Sequence, residues 1–226
     1  MGLIRISGGR WGGRRIAVPK TGLRPTQERL RTAVFSSLGD AVVGAHVLDL
    51  FAGTGAYGLE AFSRGAAFVC WVDDNGEACR ILRRNLAELG GGRMPSGAVV
   101  IQADATHPRR YASEGPFSLV FADPPYEWSR DPLALPTLAA ALAGADALTD
   151  DALLVWEQSV RVPPPDAAAL GPGWEALRDR VSGDGRWILY RRRRALAWTA
   201  FTAPWPARLA PPRRAGPPDT GPDATQ

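Results

Sequence analysis

A chain of 226 residues with 45% apolar composition suits one compact globular domain with small extensions. It contains no run of 18 uncharged apolar residues, no apolar core of a secretory signal at its start, and only two cysteines, Cys70 and Cys79, in no metal-ligand spacing with histidine. These features lead us to expect a cytoplasmic protein with no membrane span and no metal. The net charge of +4 conceals three blocks. Residues 1–40 carry eight Lys/Arg against two Asp/Glu, residues 41–174 nine against sixteen, and residues 175–226 ten against five. An acidic body between basic ends predicts a catalytic centre with arms for a polyanion.

Taken in chain order, Leu3–Ile6 and Arg14–Val18 are predicted as short strands of a hairpin-like arm, interrupted by Gly8, Gly9, Gly12 and Gly13. The turn at Gly22–Pro25 leads to a helix with Thr26 as its expected N-cap and an apolar stripe at Leu30, Ala33, Val34, Phe35 and Leu38. From Ala45 the pattern alternates. Strands are expected at Val47–Phe51, Phe68–Val72, Ala98–Gln102, Phe117–Ala122 and Ala152–Glu157, with helices at Ala56–Arg64, Glu77–Leu89 and Pro132–Leu142. Such alternation predicts an α/β, Rossmann-like parallel sheet covered on both faces. Trp174–Val181 and Arg186–Arg191 have Gly183-Asp184-Gly185 between them and are expected to close the sheet as an antiparallel hairpin. We divide the chain into a basic arm and helix (1–44), the sheet domain (45–195) and a tail (196–226) whose proline, glycine and alanine content predicts disorder.

Two segments carry chemistry. In the first, Val47 to Gly58, a buried strand ends in a glycine turn that opens a helix. Gly53, Gly55 and Gly58 match the G-x-G-x-x-G spacing of dinucleotide sites, where glycine admits a ligand close to the backbone. Asp49 redirects that reading. A carboxylate at the end of the strand suits an ammonium group and would repel a pyrophosphate. S-adenosylmethionine carries both an ammonium and a carboxylate, the latter suited to the helix N-terminus. Asp73, after the second strand, is expected to accept from the ribose hydroxyls, with Asp74 a helix cap, and Asp104 is expected either to accept from the adenine amine or to cap its own turn. Phe51 and Ala105 complete the expected cofactor set.

The second segment is Asp123-Pro124-Pro125-Tyr126, after the fourth strand. Two prolines hold an extended turn, so the Pro124 carbonyl stays free to accept, with the Asp123 carboxylate, from an exocyclic base amine. Tyr126 offers a stacking face. The two acceptors would aim the nitrogen lone pair at the methyl donor, so catalysis is mainly positioning and electrostatics. The target base must leave its stack or lie in an unpaired loop. Arg5, Arg10, Arg14, Arg15, Arg24, Arg29 and Arg31 are expected to contact phosphates, with Trp11 either a stacking or a packing residue.

With these motifs in place, the chain resembles the bacterial 16S ribosomal RNA guanine-N2 methyltransferases that modify guanine 966. The resemblance rests on Ile4 to Arg14, Gly22 to Thr26, Arg29-Leu30-Arg31, Asp49 to Glu60 and the Asp-Pro-Pro-Tyr turn, and spans roughly residues 3–191. It implies a seven-stranded class I methyltransferase sheet with a small N-terminal arm, S-adenosylmethionine as cofactor, and 16S RNA in a partly assembled small subunit as substrate. We expect a monomer. Gln27-Glu28 stands where the family has a Thr-Asp-like pair, and Asp73 where glutamate is more usual; both substitutions are compatible with the chemistry. A DNA amino-methyltransferase would use the same turn but needs a larger target-reading region than the fewer than 50 residues before Val47. An NAD-dependent oxidoreductase would need a substrate domain. A catalytically silent RNA-binding protein is disfavoured by the intact Asp49, Gly53, Gly55 and Asp123.

Overall fold

The computed structural model describes residues 2–18 and 25–193. The expected tail and Arg24 lie outside the described residues. Strands β1 (Gly2–Arg5) and β2 (Arg15–Val18) pair antiparallel, with Leu3 opposite Ala17 and Ile4 opposite Ile16. Helix α1 (Pro25–Leu38) follows. It begins at Pro25, so Thr26 lies inside the helix and is not the N-cap expected from sequence. Proline tolerates the first helical position because the N–H it lacks has no acceptor there.

The central sheet contains β3 (His46–Leu50), β4 (Phe68–Asp73), β5 (Ala98–Gln102), β6 (Phe117–Ala122), β7 (Leu148–Ser159), β8 (Trp174–Ser182) and β9 (Gly185–Arg192), in the spatial order β5-β4-β3-β6-β7-β9-β8. The first five are parallel, and β9 inserts antiparallel between β7 and β8. The chain lays β4 and β5 down to one side of β3, then returns to place β6 and β7 on the other. The β3–β6 seam is therefore a topological switch point, where open α/β sheets form their ligand crevice. The connecting helices are α2 (Ala56–Ser63), α3 (Gly76–Leu89), α4 (Tyr126–Ser129) and α5 (Ala134–Gly144). The short α4 was not anticipated.

Successive strand residues face opposite sides, and each side is buried. Leu48, Leu50, Cys70, Val72, Val120, Leu154 and Trp156 pack with Leu135, Leu138 and Leu142 of α5. Val47, Val69, Trp71, Leu119, Phe121 and Val155 pack with α1, α2 and α3 through Val34, Phe35, Leu59 and Leu82. Ile6, Trp11 and Ile16 of the arm join this second core, so the arm docks on the sheet domain as part of one hydrophobic body.

Polar anchors complete the docking. The buried Glu60 accepts from Ser7 N–H at 2.8 Å and Ser7 Oγ at 2.7 Å, and pairs with Arg64 at 2.7 Å. Ser63 Oγ accepts from Trp11 N–H and donates to the Gly8 carbonyl at 2.6 Å. Asn85 meets both the N–H and the carbonyl of Ala17. Buried polar groups satisfied in this way fix orientation as well as contributing energy.

Candidate active site

A cleft of about 1120 Å³ opens at the carboxyl ends of β3, β4, β5 and β6, which is larger than a single small ligand needs. Asp49, Phe51, Gly53, Asp73, Asp104 and Ala105 line it, and so do Asp123, Pro124, Pro125 and Tyr126. Two loops far apart in sequence thus present their chemistry to one space.

The glycine turn begins with Phe51, a non-glycine residue held at φ 55°. Such a conformation persists only where the surroundings impose it; here the ring packs against Trp128, centroids 5.1 Å apart. Gly53, at φ 54°, would place a Cβ in open space, and its N–H donates to Asp73 Oδ2 at 2.7 Å. Gly55 has another role. A Cβ there would meet Leu82 at 2.5 Å, and its carbonyl accepts from Trp71 Nε1 at 3.4 Å. Gly55 is buried and serves close packing beneath the turn, between the cleft-lining Thr54 and Ala56.

Asp49 is buried, with Oδ2 accepting from Gly58 N–H at 2.8 Å. Burial pushes its carboxyl well above the ordinary range, the Gly58 N–H partly offsets this, and Asp123 and Asp73 add repulsion. A site that concentrates negative charge in this way favours a cation. Asp73 accepts from Gly53 and Asn75 N–H groups, 2.7 and 2.9 Å, which leaves lone pairs for two ribose hydroxyls. The cap of α3 is Asn75, which accepts from Glu77 and Ala78 N–H groups, so Asp74 is not the cap expected. Asp74 lines the cleft. Asp104 accepts from the Thr106 hydroxyl and N–H, 2.7 and 2.8 Å, which hold its acid below the usual range with help from His107. It therefore closes its own turn and also borders the cleft.

On the opposite wall, the Pro125 carbonyl accepts from Trp128 and Ser129 N–H groups at 3.0 Å each. The Pro124 carbonyl has no backbone donor among the described residues. Tyr126 stays 45% exposed. Trp128 bridges the walls, packing on Phe51 and on Trp156. Among the wall residues that sequence reasoning missed are Tyr57 and Glu157. Tyr57 stacks on Phe121, centroids 5.0 Å apart, and its hydroxyl donates to Glu157 Oε2 at 2.7 Å. The two are separated by 100 residues in sequence, so no local pattern links them.

Among the arm residues, Arg5, Arg10, Arg14, Arg15 and Arg29 are exposed. Arg31 is corrected. It is 4% exposed, donates to the Arg5 carbonyl at 2.8 Å, lies 3.8 Å from Glu60 and borders the cleft. Of the two roles expected for Trp11, the structure shows packing. Trp11 is buried edge-on to Phe62 at 5.5 Å, with the Arg10 guanidinium over both rings.

A seven-stranded sheet with one inserted antiparallel strand, a glycine turn after its first strand and an Asp-Pro-Pro-Tyr turn facing it across the switch point defines a class I S-adenosylmethionine-dependent methyltransferase. Residues 4–191 match the family model described as conserved hypothetical protein 95. The ribosomal RNA small subunit methyltransferase D of Escherichia coli strain K12 is 38% identical over 193 residues, 84% of this chain and 91% of the relative. Its Haemophilus influenzae counterpart is 28% identical over 192 residues, 84% and 94%. A solved structure of E. coli YhhF superposes with TM-score 0.72 and 32% identity over 86% of this chain and all of that one. The chain belongs to this family of class I methyltransferases.

Proposed function

We propose that this protein transfers a methyl group from S-adenosylmethionine to the exocyclic N2 amine of a guanine in 16S ribosomal RNA, guanine 966, within a partly assembled small subunit in the cytoplasm, and that it acts as a monomer. The observation that carries the chemistry is the single cleft shared by the glycine turn and the Asp-Pro-Pro-Tyr turn. The ribosomal substrate follows from the relatives named for it.

The residues fit the cofactor. Its methionine ammonium would meet Asp49, its ribose Asp73 and its adenine Asp104 and Ala105, with Gly53 open beside it. When bound, S-adenosylmethionine supplies an electrophilic methyl group on a cationic sulfur. Asp123 and the Pro124 carbonyl accept the two amine hydrogens and so direct the nitrogen lone pair, while Tyr126 covers the base. No strong base is required before attack, because the nitrogen becomes acidic as it is methylated. The proton then passes toward Asp123. In domain terms, residues 1–44 grip the RNA backbone and 45–195 perform the transfer.

The test is transfer of labelled methyl from S-adenosylmethionine to small subunits lacking the modification, with the labelled nucleotide mapped. Label on N2 of one 16S guanine is expected. Label on DNA or on another RNA instead would keep the methyltransferase and discard the ribosomal assignment.

A further inference from the structure

Glu157 stands at the junction of the main cleft and a side recess of about 40 Å³. The recess shares Asp123, Pro124 and Tyr126 with the cleft and is otherwise walled by Leu30, Ser129, Gln158, Ser182, Asp184 and Gly185. It holds a few atoms, enough for the edge of a base rather than a whole one. Glu157 Oε2 is taken by the Tyr57 hydroxyl at 2.7 Å. The other oxygen, Oε1, faces Gly185, where even an added Cβ would lie 3.9 Å away. One oxygen is thus fixed by a donor, and the residue itself lines both cavities beside Asp123, Pro124 and Tyr126.

We infer that Glu157 is the residue that selects guanine, accepting the ring N1–H while Asp123 and Pro124 hold the neighbouring amine. This rests on the proposed transfer to a base amine in that cleft. The argument is one of donor and acceptor pattern. Among the four bases, only guanine carries a ring N–H adjacent to its exocyclic amine. Adenine and cytosine place a bare ring nitrogen there, an acceptor that would oppose a carboxylate, and uracil has no amine to methylate. A site built to satisfy a hydrogen-bonding edge rejects the base that lacks it far more strongly than a shape filter does. Burial and the proximity of Asp123 press the Glu157 acid upward, an unfavourable placement for a residue that served packing alone. An N–H donor on Oε1 would add to the stabilisation that the Tyr57 hydroxyl and the Arg31 charge give this carboxylate.

The test uses the full chain and small subunits reconstituted with 16S RNA carrying either guanine or 2-aminopurine at the mapped nucleotide. 2-Aminopurine keeps the 2-amine but has a bare N1. Wild-type protein is expected to prefer guanine by about tenfold to a hundredfold, the range of one hydrogen bond to a charged group. Glu157→Gln keeps an oxygen for Tyr57 and offers an amide donor to the bare nitrogen. It is expected to lose most guanine transfer and to narrow or invert the preference, with S-adenosylmethionine affinity unchanged and Tm unchanged or raised. The missing O6 of 2-aminopurine affects both proteins alike, so the change in ratio is the readout. An unchanged ratio in folded Glu157→Gln, with wild-type guanine transfer intact, overturns the role of Glu157 alone. Absence of guanine transfer by wild type overturns the functional reading, and this inference with it. If Glu157→Gln does not fold, Tyr57→Phe, which removes the hydroxyl that orients the carboxylate, is expected to lower the same ratio, and an unchanged ratio there likewise refutes the assignment.

Discussion

At the scale of single residues, the cleft separates binding from transfer. Under the proposed transfer Asp123 holds the acceptor amine, so Asp123→Ala is expected to lower transfer by at least about a hundredfold, the size of losing one preorganised electrostatic contact. Its S-adenosylmethionine affinity, measured calorimetrically, should stay within about threefold of wild type. Near-normal turnover would mean that the amine is held elsewhere. Asp49 carries the opposite expectation. Its folded acid lies above the unfolded value of about 3.9, mainly through burial, so the folded protein holds the proton more tightly. Stability is therefore lost as pH rises through the window between those two values, and the deficit persists at neutral pH. Asp49→Asn keeps an acceptor for Gly58 and removes the charge. It is expected to raise the Tm of the ligand-free protein by about 2–4 °C, corresponding to ~1 kcal/mol in a domain of this size, and to weaken cofactor binding. Cofactor affinity of the native protein should fall as pH drops through the raised Asp49 value. A lower Tm in Asp49→Asn would contradict this account.

At the scale of elements, the arm illustrates what a sequence reveals and what it conceals. The hairpin and its basic charge were legible from glycine punctuation and the arginine count, but the orientation of each side chain was not. Trp11 lies in a glycine-rich stretch without periodicity, so nothing local distinguishes a stacking ring from a packed one; the deciding partner, Phe62, is 51 positions on. The same holds for Arg31, whose burial depends on Glu60. Strands β3 to β6 and helices α2 and α3 were readable because buried parallel strands and amphipathic helices have strong periods. In the cleft, the residues just after strand ends were legible because the class of fold places ligands there, and the packing role of Gly55 was not, because a glycine required for packing has the same spacing as one required for a ligand. Tyr57 and Glu157 meet only through the tertiary fold. A packing role for Trp11 carries its own expectation. Trp11→Ala should cost about 3–5 kcal/mol of stability in chemical denaturation, and a variant of unchanged stability with weakened RNA binding would restore the stacking role.

At the scale of the whole molecule, the exposed arginines of the arm and the acidic cleft are different surfaces of one body, and salt should tell them apart. Arg10→Glu with Arg14→Glu is expected to weaken RNA binding and to flatten its dependence on log salt concentration by roughly 0.7–0.9 per lost phosphate contact, while S-adenosylmethionine affinity is unchanged. A salt slope equal to that of wild type would place the RNA elsewhere on the protein. The switch point between β3 and β6 also divides the molecule by labour. Under the proposed transfer, the side chains that would hold the cofactor come from residues 49–105 and those that would hold the base amine from residues 123–185, on either side of the seam. Donor and acceptor stretches are thus consecutive in the chain yet stitched together across the cleft by the Tyr57–Glu157 hydrogen bond and the Phe51–Trp128 contact.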